Sequence, residues 1–167
     1  LKPSPHITNR TCSIIQLPPM PESATPLLRY EMCSSLDQIE GLAHAVQTAL
    51  VDHADWVFTV NFCIDELITN TITHGLEHAD HGQIVVSIHA TPNELQITIE
   101  DDAPAYDPFT NAPPPDLTSD LHARPIGGLG VHLIKKLVSH YDHERQDAWN
   151  VTKLWINLDT DNRLPDS

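Results

Sequence analysis

Cations are scarce in this chain. Nine lysines and arginines stand against 23 aspartates and glutamates, a formal charge of −14, which repels a phosphate backbone and an anionic membrane surface. Nucleic acid and membrane are therefore not expected partners. A phosphate bound by so acidic a chain has to be held locally, by backbone amides, a helix N-terminus, a metal ion or one well-placed cation. Cysteine is sparse and odd in number, at Cys12, Cys33 and Cys63, so a reduced, cytoplasmic chain is the simpler reading. Long apolar runs are missing from the first thirty residues, which carry prolines at 3, 5, 18, 19, 21 and 26; neither a signal peptide nor a membrane span is visible there. No internal repeat is present. At 167 residues the chain fits one domain whose core needs no disulfide or metal staple.

The order of elements follows from periodicity and punctuation. Residues 1–26 read as a Pro-rich extension with one short strand over 11–17, residues 27–160 as the folded domain, and 161–167 as a tail. A strand over 27–33 precedes Ser35 and Gln38, spaced as a capping box that opens a helix through about residue 51. A second helix is predicted over 55–76. Residues 83–90 and 94–100 alternate apolar and polar around Thr91-Pro92-Asn93, the pattern of a hairpin. Residues 103–125 hold six prolines without periodicity, and so predict a long loop of the kind that serves as a lid. Gly127-Gly128-Leu129-Gly130 opens a third helix with an apolar stripe of Val131, Ile134, Leu137 and Val138. Residues 140–145 and 150–158 make a second hairpin. Strands grouped beside helices without strict alternation predict an α+β two-layer sandwich, a mainly antiparallel (mixed) sheet covered on one face by helices.

The second helix divides into two faces. At about 100° per residue, Val57, Val60, Ile64, Leu67, Ile68 and Ile72 share one side, and Glu66, Asn70 and His74 line the opposite one. The stripe offers a general-base type, a neutral oxygen ligand and a second titratable group, and by itself it reads equally well as a solvated helix face. Downstream stand Asp101-Asp102 at a strand end and the Gly-Gly-x-Gly run at a helix start, where backbone amides can approach an anion.

In order and separation, Glu66 and Asn70, then Asp101, then Gly128 and Gly130 resemble the N, G1 and G2 boxes of the Bergerat-type ATP-binding fold of gyrase B, histidine kinases and MutL mismatch-repair proteins. Asp101-Asp102-Ala103-Pro104-Ala105-Tyr106-Asp107-Pro108 and Arg124-Pro125-Ile126-Gly127-Gly128-Leu129-Gly130-Val131-His132-Leu133-Ile134 look most similar to the anti-sigma-factor serine/threonine kinases, over about residues 27–159. The resemblance implies ATP and Mg²⁺ as cofactors, and Glu66 as general base toward a Ser or Thr hydroxyl. It implies Asn70 as the Mg²⁺ ligand, suited to a site that triphosphate oxygens and water complete. Asp101 would accept the adenine amino group, which separates adenine from guanine. The resemblance places Gly128, Leu129, Gly130 and Val131 at the phosphates, Thr152 near the base, and His74 at the pocket wall. It further implies a STAS-domain anti-anti-sigma partner, with a sigma factor as another, and admits a homodimer; a non-catalytic nucleotide-binding switch is the alternative. One departure is Ala103, where the family has glycine; its methyl group could crowd the base or forbid a positive φ.

Other readings compete for single residues. His74, His78 and His81 with Asp80 could form a metal cluster, although no cysteine or second histidine pair completes a tetrahedral set. Lys135 and Lys136 read as solvated helix positions, Arg124 as a cation near a terminal phosphate, and Trp149 and Trp155 as sheet packing.

Overall fold

Alternation around Thr91-Pro92-Asn93 resolves into β2 (Gln83–Ala90) and β3 (Glu94–Asp101), paired antiparallel with Ala90 opposite Leu95. The computed structural model describes residues 24–76, 82–111 and 129–159. The predicted strand over 11–17, Gly127, Gly128, Arg124, His78, Asp80 and His81 lie outside them. The sheet is completed by β1 (Thr25–Cys33), β4 (His140–Gln146) and β5 (Trp149–Asn157), in the order β1-β2-β3-β5-β4. Every pairing in it is antiparallel, with no parallel strand among the described residues. Pro26 has no N–H to give a ladder, and β1 shifts register between Pro26 and Leu28 at the sheet's edge.

Helices α1 (Ile39–Ala49), α2 (Val57–Asn70) and α4 (Leu129–Leu137) lie against this sheet. Leu42 and Val46 of α1, Val60, Ile64, Leu67 and Ile68 of α2, and Val131 and Ile134 of α4 bury into one cluster with Val86, Ile88, Ile97, Ile99, Leu154 and Ile156. Each such side chain taken from water contributes about 1.5–3 kcal/mol, so the apolar stripes dictate the layering. No helix among the described residues is long and apolar enough to cross a membrane.

Three local expectations need correction. Ser35 does not cap the first helix: its hydroxyl bonds Asp37, and Gln38 Oε1 accepts from the Cys33 N–H at 3.2 Å. A 3₁₀ turn over Leu36–Gln38 precedes α1, because the side chains that should form the box find other local partners. Secondly, α1 stops at Ala49, and a 3₁₀ stretch, Val51–Trp56, leads into α2 across a kink at His53. Thirdly, α2 passes at Thr71–Gly75 into a π-helical turn, closed by Leu76 N–H on Thr71 O at 2.9 Å. Such turns often occur at functional sites.

On the face of the sheet away from the helical core, Glu100 is 2 % exposed and its Oε1 has no partner among the described residues. Burial holds its carboxyl above the usual range, opposed by the charges of Arg29 and Lys153. A carboxyl whose folded pKa is raised favours the fold below its unfolded pKa and loses that contribution as pH climbs through the folded value. Glu100→Gln is therefore expected to be more stable than wild type at pH 8, by about 1 kcal/mol. The difference should shrink toward pH 4 when thermal unfolding is followed across that range.

Candidate functional site

The end of β3 is where the sheet meets the helices and the chain turns away. Asp101 closes that strand on the helical face, buried to 5 % exposure, and lines a cavity with Leu67, Asn70, Thr71, Gly75, Ala103 and Thr152. Tyr106, Pro108, His143 and Asn150 complete much of the wall. Its Oδ1 accepts from Asn150 Nδ2 at 2.8 Å and from the Ala103 N–H at 3.1 Å. Burial raises the Asp101 pKa; these two hydrogen bonds and the charge of His143 oppose that rise, and Asp102 adds to it. Asp102 does a different job. Exposed to solvent, its Oδ1 accepts from the Gln83 N–H at 2.8 Å and ties off the start of β2.

Ala103 fits without strain. Among the described non-glycine residues only Asp147, in the β4–β5 turn, has positive φ, so the backbone at 103 does not require glycine. The methyl group packs toward Gly75, where an added Cβ would lie 3.0 Å from it. The bare α-carbon of Gly75 at the π-turn thus leaves the space that the alanine uses. Below it the free volume is about 20 Å³, roughly one water's share of a cavity.

The polar stripe of the second helix is split between two environments. Asn70 lines the cavity, while Glu66 is half-buried against α4: a Cβ built on Gly130 would overlap the Glu66 carboxylate. Burial, followed by the charge of Asp65, pushes the Glu66 carboxyl above the usual range. His74 is exposed and lies outside the cavity lining, because the π-turn breaks the four-residue repeat before reaching it. Leu129 is exposed at the start of α4, and Val131 is buried. Thr152 is buried at the cavity and shares a 2.9 Å hydrogen bond with His143 Nδ1 across the β4–β5 pair.

After the cavity the chain forms a turn of helix, α3 (Pro108–Asn111), inside what the prolines predict as loop. Asp107 caps it, accepting from Phe109 N–H at 2.8 Å, Thr110 N–H at 3.3 Å and Thr110 Oγ1 at 2.8 Å. Proline at the first helical position needs no donor there, so Asp-Pro is a sufficient start signal. Lys135 is exposed, as a solvated helix position would be, and it also makes a specific contact. Its Nζ donates to Phe109 O at 2.8 Å, beside the stacked Phe109 and Tyr141 rings, and so joins α4 to this turn.

Sequence reasoning missed Asn150. It is 3 % exposed, contacts the carbonyls of Ala103 and Pro104 at 3.3 and 3.2 Å through Nδ2, and accepts from Arg145 Nη1 at 2.8 Å. Its signal in the sequence is only a polar residue entering an apolar strand. His78, Asp80 and His81 of the histidine cluster lie outside the described residues; among the described residues no group of three His, Cys, Asp or Glu could hold a metal ion.

The model of the histidine kinase-like ATPase domain matches residues 32–156. Serine/threonine-protein kinase BtrW of Bordetella bronchiseptica is 31 % identical over 93 residues, which are 56 % of this chain and 65 % of that protein. Serine-protein kinase RsbW of Listeria innocua is 28 % identical over 82 residues, 47 % of this chain and 52 % of its own length. The chain thus spans less than two thirds of either relative. A solved histidine kinase domain, from the blue-light activated histidine kinase of Erythrobacter litoralis, overlaps 73 % of this chain and 60 % of its own at 16 % identity and a TM-score of 0.44. The family match runs from Met32 in β1 to Ile156 in β5 and takes in every element that lines the cavity, and the chain belongs to the histidine kinase-like ATPase domain family.

Proposed function

We propose that the chain binds ATP with Mg²⁺ and is an anti-sigma-type serine/threonine protein kinase acting on a STAS-domain anti-anti-sigma partner, with a sigma factor as a further partner. The observation that carries this reading is the buried Asp101 carboxylate. One of its oxygens is taken by Asn150 and Ala103, and it stands in the same cavity as Asn70 and Thr152. A carboxylate kept there is an acceptor for a ring amino group. The names of the two relatives, both protein kinases, support the transfer reaction.

The residues suit the ligands. Asn70 supplies one amide oxygen, a weak Mg²⁺ ligand alone, and phosphate oxygens with water would make up the octahedron. The N-terminal amides of α4 at Leu129, Gly130 and Val131 would meet phosphate; Gly128 would extend that cradle. Mg-ATP supplies the phosphoryl group and the charge that neutralises it in transfer. Glu66 would orient a partner Ser or Thr hydroxyl and take its proton. A space of about 20 Å³ does not admit a purine ring, so the exposed Tyr106 on the cavity wall would turn aside for the base to enter.

Incubation with γ-labelled Mg-ATP and a STAS-domain partner is expected to yield phosphoserine or phosphothreonine, and Glu66→Ala to lower the rate by about 10²–10⁴-fold. No transfer by wild type, or undiminished transfer by Glu66→Ala, overturns the kinase reading. The position of Glu66 outside the cavity lining favours a second reading, a non-catalytic partner switch. Nucleotide-dependent complex formation without transfer would select it.

The pH dependence has a defined sign. A base works only when ionised, and Glu66 is held above the ordinary glutamate range by burial and by Asp65. Transfer should fall on acidification with a midpoint above that of a free glutamate, and Asp65→Asn should move the midpoint down in a pH–rate profile. Gly130→Ala tests the packing of the base. A Cβ there overlaps Glu66, whose flexible stem can rotate away, so transfer should drop about tenfold or more while stability changes by less than about 1 kcal/mol.

A further inference from the structure

We infer that Asn150 is the positioning residue that makes the cavity select an amino-bearing ring edge, by holding Asp101 as an acceptor in a fixed orientation. This rests on the reading of the cavity as a nucleotide-base site. The pairing of β3 with β5 sets Asp101 directly opposite Asn150. The amide orientation of Asn150 is over-determined: its oxygen accepts from Arg145 Nη1 at 2.8 Å, and its NH₂ meets Asp101 Oδ1 at 2.8 Å. Flipping the amide would set NH₂ against a guanidinium, which only donates, and oxygen against a carboxylate, which only accepts. Arg145 is itself anchored, its Nη1 also donating to Ala103 O at 2.7 Å.

The consequence falls on Asp101. Its Oδ1 is occupied by Asn150 and by the Ala103 N–H, which leaves Oδ2 as the acceptor for a ligand. Were the carboxyl protonated, Oδ2 would donate and match a ring carbonyl, as in guanine, in place of an amino group. Burial favours that protonated form, and Asn150 is the largest influence against it. The other charged or titratable groups that act on Asp101 are His143 of β4 and Asp102, the next residue in the chain, with Arg145 of β4 reaching it through Asn150; neither Asp102 nor His143 replaces the amide donor at Oδ1.

The decisive variant is Asn150→Asp, nearly isosteric, which sets two carboxyls face to face. Calorimetric titration of wild type and variant with Mg-ATP and Mg-GTP from pH 6 to 8.5 reads the effect. Wild type should prefer ATP throughout. With a carboxyl in place of the amide, a proton shared by the pair sits partly on Asp101, whose Oδ2 then donates, so the variant should lose about tenfold or more of its ATP affinity and most of the ATP over GTP preference at pH 6. Toward pH 8.5, as the pair gives up that proton, the preference for ATP should return. An unchanged ATP to GTP ratio at pH 6, or parallel loss of both nucleotides at every pH, would overturn the inference.

Wild type binding neither nucleotide would bring down the base-site reading itself, and this inference with it. Should Asn150→Asp fail to fold, Asn150→Ala removes the donor without adding charge. The carbon-13 titration of the Asp101 carboxyl should then move to higher pH as the ATP to GTP ratio falls, and an unmoved midpoint would overturn the inference.

Discussion

The hydrogen bond from Asn150 Nδ2 to Asp101 Oδ1, 2.8 Å long, joins the ends of the two central strands where the sheet gives way to loop. Much of the cavity is placed relative to that contact. Ala103 follows Asp101 by two residues and gives its N–H to the same oxygen, so the first turn of the loop is set by the carboxylate. The Ala103 methyl then defines where Gly75, and with it the π-turn, can lie. Asn70 sits one residue before that turn. A buried carboxylate without such partners would cost several kcal/mol, so the satisfied network is a condition for having a charge there.

From the other side, α4 fixes the second half of the site. Its Lys135 holds Phe109 O, while its Gly130 accepts the Glu66 carboxylate against a bare α-carbon. One helix thereby braces Phe109 of α3 and the Glu66 end of the α2 stripe together. Glu66 and Asn70 share a face of α2 yet serve different walls, Glu66 toward α4 and Asn70 toward Asp101. That separation follows from a four-residue spacing, about 6 Å along the axis.

What was legible in the sequence was whatever repeats locally. Val60, Ile64, Leu67 and Ile68 bury as their period requires, and Ile84, Val86, Ile88, Leu95, Ile97 and Ile99 alternate inward as strands must. Asp101, Ala103 and Thr152 could be placed at one site because family motifs encode their order, and the cavity does bring them together with Asn70. What escaped was tertiary in origin. The π-turn answers to packing between Gly75 and Ala103, Lys135 to a carbonyl 26 positions away, and Asn150 to a strand partner 49 positions away. No window along the chain contains those pairs. The predicted capping box failed for a different reason, since Ser35 and Gln38 had competing partners within five residues.

The charge balance of the chain bears on how it could hold a polyphosphate. Of the nine lysines and arginines, five lie among the described residues: Arg29, Lys135, Lys136, Arg145 and Lys153. Arg29 pairs with Glu31, Lys153 with Glu144, Arg145 with Asn150 and Ala103 O, and Lys135 with Phe109 O. Lys136 is exposed, and Arg124 lies outside the described residues. On the proposed reading, a divalent cation and the amides at the N-terminus of α4 contribute to neutralisation at this site. Asn70 suits that division: a neutral ligand adds no negative charge beside a triphosphate and leaves the cation's full charge for the phosphate oxygens.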